Sequence, residues 1–202
     1  RHLLHILRAL APFASGCGRA ALVAPLTFYA SIQQLAVSVA VGGTLHVLSD
    51  GERKNPRSFC ASVRRHGLEL CDMTPAFFNV LVEHLVEHKT PLPMKKILLA
   101  GEILRTDSVR KFYSVPGNED VVLYNVYGPT ECTVDSTAFR IDFHNHAAFA
   151  AYPIGAPLDG VSVTIRDRNG QVVSDGENGE IWIVGDGVSR GYLNAGGASA
   201  FV

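Results

Sequence analysis

Residues 125–131, Asn-Val-Tyr-Gly-Pro-Thr-Glu, bring together side chains that suit a nucleotide and its metal ion. Tyr127 offers a ring that can stack on a base, Thr130 a hydroxyl for a phosphate oxygen, and Glu131 a carboxylate for Mg²⁺. The preceding apolar run, residues 121–124, has the β-branched and aromatic character of a buried parallel strand. Open α/β folds bind their ligands at the carboxyl ends of such strands. The alternative interpretation is a plain turn that ends a strand, because Gly-Pro turns are common.

The residues before this stretch alternate between strand patterns and helix patterns. Apolar runs predict strands at residues 21–24, 44–48, 68–73, 97–100 and 121–124. Within residues 1–20 the pattern predicts a helix followed by a Gly-containing turn at residues 15–18. Helical spacing and capping residues predict further helices at residues 31–40, 55–67, 74–88 and 106–113. Because the strand runs are apolar throughout rather than alternating, they predict βα units on a parallel sheet.

After this stretch the pattern changes to that of antiparallel strands. Residues 137–141 and 161–166 alternate between apolar and polar side chains, and residues 179–185 form a further strand pattern. Residues 168–171 contain the Asn-Gly signature of a hairpin turn. From about residue 150 onward the sequence therefore predicts an antiparallel unit that is part of a small barrel.

A polar stretch followed by small residues, residues 144–148, separates the two patterns. The predicted fold class is α/β. A flavodoxin-like parallel sheet with flanking helices is expected over residues 1–145. The start of an antiparallel β-barrel subdomain is expected over residues 146–202.

Composition and charge narrow the function classes. The formal net charge is -1, which gives no electrostatic case for nucleic acid or for an anionic membrane as partner. No apolar run approaches the roughly 18 residues of a membrane span, and no signal peptide is visible. The 4 cysteines show no C-x-x-C spacing, so reduced thiols in a cytoplasmic protein are expected.

Several motifs, in matching order, give the chain a family resemblance. Residues 125–131 resemble the N-x-Y-G-P-T-E motif of the adenylation domains of nonribosomal peptide synthetases. The other matching stretches are Phe-Tyr-Ala-Ser at 28–31, Leu-Leu-Ala-Gly-Glu at 98–102, Pro-Ile-Gly-Ala-Pro at 153–157, and residues 179–193. The resemblance covers essentially the whole chain, and it implies that the 1–145 subdomain holds an acyl pocket and an adenine site.

The resemblance implies an adenylate-forming reaction, in which a carboxylate attacks the α-phosphorus of ATP and releases pyrophosphate. Thr130 would contact the α-phosphate and Glu131 would hold Mg²⁺, so these two residues are the candidate catalytic pair. Tyr127 would stack on adenine and Asn125 would bond its amino edge. The complete candidate set for binding the nucleotide is Gly101, Glu102, Asn125, Tyr127, Gly128 and Thr130.

The resemblance also implies a pocket for the acid substrate. Its candidate residues are Tyr29, Ala30, Gln33, Asp72, Leu98, Ala100, Val126, Val134 and Asp135. In members that activate α-amino acids, the position of Tyr29 holds the aspartate that pairs with the α-ammonium group. Tyrosine cannot supply that charge, whereas Asp72 and Asp135 are carboxylates at other pocket positions. A β-amino or diamino acid is therefore the favoured substrate, and an aryl, hydroxy or keto acid is the rival.

The parent enzyme is expected to use ATP and Mg²⁺ to load a small carboxylic acid onto the phosphopantetheine thiol of a carrier protein, with neighbouring synthetase domains as further partners. The alternatives are an acyl- or aryl-CoA ligase of the same superfamily, or a degenerate unit that only packs within a larger assembly. The family's phosphate loop would precede Arg1, and its ribose-binding aspartate and catalytic lysine would follow Val202. We therefore expect an internal fragment that is inactive by itself.

Overall fold

A computed structural model of the chain describes residues 2–193. Its helices are α1 (His2–Ala14), α2 (Ala30–Ala40), α3 (Asp50–Lys54), α4 (Pro56–His66), α5 (Pro75–His88) and α6 (Thr106–Tyr113). Its strands are β1 (Arg19–Leu22), β2 (Thr44–Val47), β3 (Leu70–Met73), β4 (Lys96–Ala100), β5 (Val122–Tyr127), β6 (Thr137–Ile141), β7 (Ala156–Pro157), β8 (Val161–Arg166) and β9 (Glu180–Gly185). A 3₁₀ turn, Thr130–Cys132, lies between β5 and β6.

Seven strands form one sheet in the order β2-β1-β3-β4-β5-β6-β7. The first five are parallel to their neighbours, whereas β6 and β7 pair antiparallel. Strands β8 and β9 form a separate antiparallel pair. The predicted fold class, a parallel sheet with flanking helices followed by an antiparallel unit, is confirmed.

The two sheets divide the chain at a different place from the sequence pattern. Strand β7 lies beyond residue 146 but pairs with β6, so the large sheet continues past the predicted boundary at 144–148. The change of sheet falls between Pro157 and Val161. The division into domains 1–145 and 146–202 stays a prediction.

Local capping signals set the ends of the helices that the sequence predicted well. Asn55 caps α4 by accepting a hydrogen bond from the Ser58 amide at 3.1 Å, and Gly67 ends that helix in the left-handed region at φ 59°. Thr74 caps α5 in the same way through the Phe77 amide at 3.3 Å. Such side chains satisfy backbone donors that have no partner within the helix, and each contributes about 1 kcal/mol.

The first predicted helix ends at Ala14, where the predicted turn begins, and Gly16 lies in that turn at φ 75°. Two other features differ from the prediction. The short helix α3 was not predicted. Strand β5 runs on through Tyr127, because Tyr127 pairs with Thr137 of β6, although the pairing with β4 ends at Val126. The first three residues of the 125–131 stretch therefore lie in a strand, and the turn begins at Gly128.

Apolar side chains cover both faces of the large sheet. On one face, α4, α5 and α6 bring Phe59, Phe78 and Phe112 into a core in which all three are fully buried. On the other face, α1 and α2 contribute Leu10 and Val37. Burying one side chain of this size contributes about 1.5–3 kcal/mol to the free energy of unfolding. This packing holds the helices against the sheet and so keeps the ends of its strands in place. In the described part of the chain, no helix is long and apolar enough to cross a membrane.

Candidate functional site

The large sheet opens where β1 and β3 separate. In the register of these neighbouring strands only Ala20 and Leu70 are paired. The backbone that follows β1 therefore has no strand partner on the side that faces β3. The buried Gln34 side chain of α2 fills the gap. Its Oε1 accepts hydrogen bonds from the amides of Val23 and Ala24 at 2.8 and 3.1 Å, and its Nε2 donates to the Asp72 carbonyl at 3.2 Å. Gln34 thus provides hydrogen-bond partners for backbone groups that have no strand partner on this side, and it links the end of β1 to β3.

A cavity of about 440 Å³ lies at this opening, at the carboxyl ends of β1, β3 and β4. Chain order reverses there, with β2 on one side of β1 and β3 on the other, which is the place where open α/β sheets bind ligands. Seven of the nine predicted pocket residues line it: Tyr29, Ala30, Gln33, Asp72, Ala100, Val134 and Asp135.

The other two predicted pocket residues do not line this cavity. Leu98 borders a separate void of about 20 Å³ behind Gln33 and Gln34, and Val126 is buried in the core beneath the sheet. Both side chains pack with Leu10 and Val37 of α1 and α2. In this structure Leu98 and Val126 belong to the core between the large sheet and helices α1 and α2 and do not line the cavity.

Two buried carboxyl groups face the same cavity. Asp72 is at the end of β3 and Asp135 follows the 3₁₀ turn; they are 9% and 1% exposed. Burial raises the pKa of Asp72 to about 6, against the weaker opposing effect of its hydrogen bond from Gln34. Burial, and then the neighbouring Asp72 carboxylate, raise the pKa of Asp135 well above its usual range. Among the described residues, neither carboxyl group forms a salt bridge.

Unsatisfied polar atoms accompany these carboxyl groups. Gln33 is 2% exposed, and its amide oxygen and amide nitrogen have no hydrogen-bond partner within 3.5 Å among residues 2–193. Asp135 Oδ2 likewise has none within that distance. The Gln33 side chain is nevertheless near enough to Asp135 to oppose the rise in the pKa of that carboxyl. Buried polar atoms are nearly always paired, so each of these exceptions requires an explanation. All three atoms belong to residues that line the cavity, where a bound ligand would pair them.

Tyr29 stands at the start of α2, beside the carboxyl groups. Its ring stacks on Phe28 with centroids 5.3 Å apart. The Ser31 hydroxyl donates to the Phe28 carbonyl at 2.8 Å and fixes this first turn of the helix. The cavity wall thus presents a neutral phenol at the position where the family resemblance places an aspartate.

The structure adds two cationic residues that the sequence did not indicate. Arg53 and Lys54 of α3 line the cavity, but both pair with Asp50 on the outer surface, at 2.6 and 2.9 Å. The signal for α3 was present as the capping box of Ser49 and Glu52, in which each side chain bonds the backbone of the other residue.

The predicted nucleotide turn packs closely against the pocket wall. A Cβ on Gly128 would lie 2.1 Å from the Val134 carbonyl oxygen, so only glycine fits at this position. Thr133 and Val134 adopt left-handed backbone at φ 59° and 76°, which is costly for β-branched residues. Strain of this kind is concentrated at functional sites, and here it lies between the turn and Asp135.

The predicted nucleotide-binding residues lie at the ends of β4 and β5. Gly101, at φ 91°, and Gly128 both border the cavity, so the acid pocket and the nucleotide turn are continuous. The amide nitrogen of Asn125 donates to the Pro153 carbonyl at 2.8 Å, which orients its oxygen as an acceptor for an amino group. The Glu102 carboxylate accepts a hydrogen bond from the Ala76 amide at the start of α5, at 2.9 Å. The predicted contact of Glu102 with adenine would therefore be made by its backbone.

Thr130 and Glu131 lie in the 3₁₀ turn that follows. Thr130 is exposed, and Glu131 is half-buried. The Tyr192 hydroxyl donates to Glu131 Oε1, and the Ser189 amide donates to the Glu131 carbonyl at 2.7 Å. A carboxylate has two oxygens that accept, so Glu131 can also bind a cation. Mg²⁺ is commonly held by one or two carboxylates together with substrate phosphates and waters, so Glu131 fits the ion. Within the described chain there is no group of three or more metal-ligating side chains.

The fold and the site together define an α/β protein with a ligand cavity at a strand-order reversal, next to a turn suited to phosphate and Mg²⁺. The family model described as AMP-binding enzyme matches residues 5–193. The chain therefore belongs to the AMP-binding enzyme family.

Individual relatives agree with this assignment. Surfactin synthase subunit 1 of Bacillus subtilis is 35% identical over 179 residues, which cover 87% of this chain and 5% of that protein. The D-alanine–D-alanyl carrier protein ligase of Bacillus cytotoxicus is 30% identical over 173 residues, which cover 85% of this chain and 34% of that protein. The chain thus spans about a third or less of the length of these curated relatives.

A solved structure extends the agreement to the fold. PA1221, a nonribosomal peptide synthetase protein containing adenylation and carrier (PCP) domains, matches with a TM-score of 0.77 and 27% identity. The match covers 88% of this chain and 30% of that one. The resemblance to synthetase adenylation domains that the motifs indicated is confirmed.

Proposed function

We propose that this chain forms the acid pocket and part of the ATP site of an enzyme that activates a small carboxylic acid as its acyl-adenylate. An oxygen of the acid would bond to the α-phosphorus of ATP while the bond to pyrophosphate breaks. Such a reaction relies on positioning and on neutralising charge. Tyr127, Asn125 and the backbone of Gly101 would hold the base, and Thr130 would contact the α-phosphate.

The observation that carries the proposal is the continuity of the cavity with the nucleotide turn. Gly101 and Gly128, from the predicted nucleotide set, border the same 440 Å³ space as seven residues of the predicted acid pocket. A carboxylate bound there would lie next to the turn of Thr130 and Glu131. Mg²⁺ held by Glu131 would neutralise phosphate charge, and this is the chemistry that the ion supplies when bound.

The substrate we propose is an amine-bearing acid other than an ordinary α-amino acid in the family's usual pose. Tyr29 offers no charge to an α-ammonium group, and an unpaired buried ammonium costs several kcal/mol. Asp72 and Asp135 are buried carboxyl groups elsewhere in the same cavity. A β-amino or diamino acid would place a cation there.

The acyl group would then pass to the phosphopantetheine thiol of a carrier protein, in company with neighbouring synthetase domains. Support comes from the similarity to a D-alanyl carrier protein ligase and to PA1221 with its PCP domain. We expect residues 1–202 by themselves not to complete the reaction, because they correspond to about a third or less of these proteins.

ATP–pyrophosphate exchange by the full-length protein tests the proposal. We expect exchange that depends on an added carboxylic acid and on Mg²⁺. No exchange with any acid would refute the enzymatic function and favour a unit that only packs within an assembly. A second assay, with carrier protein and coenzyme A as competing thiol acceptors, separates the synthetase type of enzyme from an acyl-CoA ligase.

A further inference from the structure

The loop that follows β9, residues 186–193, folds back onto the 3₁₀ turn after β5. The Ser189 amide donates to the Glu131 carbonyl at 2.7 Å, and the Thr133 hydroxyl donates to the Gly187 carbonyl at 2.5 Å. Thr133 and Gly187 are 54 positions apart in the chain, so this tertiary contact links the β8–β9 pair to the large sheet. The loop belongs to one of the stretches that carry the family resemblance, and the proposed function gives it no role.

Tyr192, near the end of this loop, contacts the Glu131 side chain directly. Its hydroxyl donates to Glu131 Oε1. No salt bridge in the described part of the chain involves Glu131. Within residues 2–193 the Tyr192 phenol is therefore the side-chain donor that orients this carboxylate. Because the bonds at Gly187 and Ser189 already anchor the loop, the hydroxyl is held near Glu131 by more than its own contact.

We propose that Tyr192 is a positioning residue for Glu131: its hydroxyl holds one carboxylate oxygen, so that the carboxylate is already oriented when Mg²⁺ binds beside the ATP phosphates. This inference rests on the proposed function, in which Glu131 is the metal ligand. It gives a role at the nucleotide turn to a residue 61 positions away along the chain.

A neutral hydroxyl suits this role. Carboxylates that bind metal ions are in turn hydrogen-bonded by neighbouring groups, and the loss of such a partner commonly weakens metal binding by about 10- to 100-fold. An arginine or lysine in the same place would oppose the negative charge that attracts Mg²⁺, whereas a phenol orients the carboxylate and leaves its charge in place. A glutamate side chain has several rotatable bonds, and fixing them before the ion arrives lowers the entropic cost of binding.

The test measures nucleotide binding by the full-length protein, separately from turnover. Titration calorimetry gives the affinity for MgATP and, in EDTA, the affinity for metal-free ATP, and the ratio of the two affinities reports what the metal ion contributes. Tyr192→Phe removes the hydroxyl and keeps the ring, which is 56% exposed and so contributes little to the core. We expect this variant to lower the ratio by about 10-fold while the affinity for metal-free ATP stays the same. ATP–pyrophosphate exchange is measured on the same samples.

A double substitution shows whether Tyr192 acts through Glu131. Glu131→Gln should lower the ratio at least as far as Tyr192→Phe does. In the Glu131→Gln background, Tyr192→Phe should cause no further loss, because the carboxylate that it positions is absent. Two losses that add in full would refute the positioning role.

Two control variants separate positioning from a structural role. Tyr113→Phe also removes a bonded hydroxyl, which donates to the Val121 carbonyl at the opposite end of β5 at 2.8 Å, and it should leave the ratio unchanged. Thr133→Ala removes the hydroxyl that holds Gly187, so it should speed hydrogen exchange in the loop but lower the ratio less than Tyr192→Phe does. A loss in Thr133→Ala as large as that in Tyr192→Phe would refute the role of the phenol and show that docking of the loop is what matters. Thermal unfolding of each variant shows whether the fold is retained.

The outcomes separate this inference from the proposed function. A ratio that Tyr192→Phe leaves unchanged, in a protein that catalyses exchange, would refute the positioning role while adenylation stands. A ratio that depends on both Tyr192 and Glu131, without exchange with any acid, would refute adenylation but support the positioning role. Equal losses of affinity for MgATP and for metal-free ATP in Tyr192→Phe would overturn the inference and show that Tyr192 serves structure alone. A protein that binds neither form of ATP would overturn both.

Discussion

Replacing Asp72 by asparagine should make the protein more stable near neutral pH while weakening the pocket. Burial raises the pKa of Asp72 from 3.8 to about 6. A raised pKa means that the folded state binds the proton more tightly than the unfolded chain does. Protonated Asp72 therefore makes its full contribution to the free energy of unfolding below pH 3.8. That contribution is lost as the pH rises through about 6 and Asp72 ionises in the folded protein.

The size of the effect follows from the shift. Each pKa unit corresponds to 1.36 kcal/mol, so ionising Asp72 in the folded protein costs about 3 kcal/mol above pH 6. Asparagine has nearly the same shape, keeps an acceptor for the Gln34 amide and carries no charge at any pH. The Asp72 carboxylate also helps to raise the pKa of Asp135. The substitution removes that charge, so it should lower the pKa of Asp135. Both changes favour the folded variant near pH 7.

Urea unfolding followed by circular dichroism at several pH values from 4 to 8 measures this prediction. We expect Asp72→Asn to match the wild type near pH 4 and to exceed its free energy of unfolding by about 3 kcal/mol at pH 7 to 8. Asp159→Asn, at an exposed turn before β8, is the matched control and should show no such dependence. A difference that is the same at every pH, or a variant less stable at pH 7, would refute the account of Asp72 as a buried and uncompensated charge.

Three further substitutions test individual contacts. Gly128→Ala should destabilise the fold by about 3 kcal/mol or more, measured by thermal unfolding, because its Cβ would lie 2.1 Å from the Val134 carbonyl oxygen. Gln34→Leu removes the acceptor of two partly buried amides and should cost about 2 kcal/mol or more. It should also speed hydrogen exchange at the backbone after β1, and unchanged exchange would contradict the bridging role of Gln34. Glu131→Gln should raise the Mg²⁺ concentration needed for half-maximal pyrophosphate exchange by about 10-fold or more, whereas an unchanged requirement would exclude Glu131 as the metal ligand.

The features predicted most accurately from the sequence are those that depend on residues close together along the chain. Helices α4 and α5 have their capping residues and first-turn prolines within a few positions of each other, so their bounds could be predicted accurately. The end of β5 could not, because Tyr127 belongs to the strand only through its pairing with β6. The short helix α3 was missed because its capping box precedes a single turn of helix without an apolar face.

In the cavity, too, the sequence motifs predicted residue positions better than they predicted features that depend on tertiary packing. The order of motifs predicted seven of the residues that line the cavity, since the family resemblance assigns each position directly. Leu98 and Val126 were expected in the pocket but pack in the core, because the side chains of β4 and β5 at these positions meet α1 and α2. The bridging role of Gln34 depends on the short pairing of β1 with β3, a tertiary feature that no local pattern indicates.

The most direct test of the central claim is pyrophosphate exchange by the full-length protein with Tyr29 intact and as Tyr29→Asp. The panel contains ordinary α-amino acids, β-amino and diamino acids, and aryl or keto acids. We predict that the wild type prefers β-amino or diamino acids, loses that preference on Asp72→Ala or Asp135→Ala, and gains ordinary α-amino acids on Tyr29→Asp. A wild type that prefers acids without an amine, unaffected by either alanine substitution, would contradict the account.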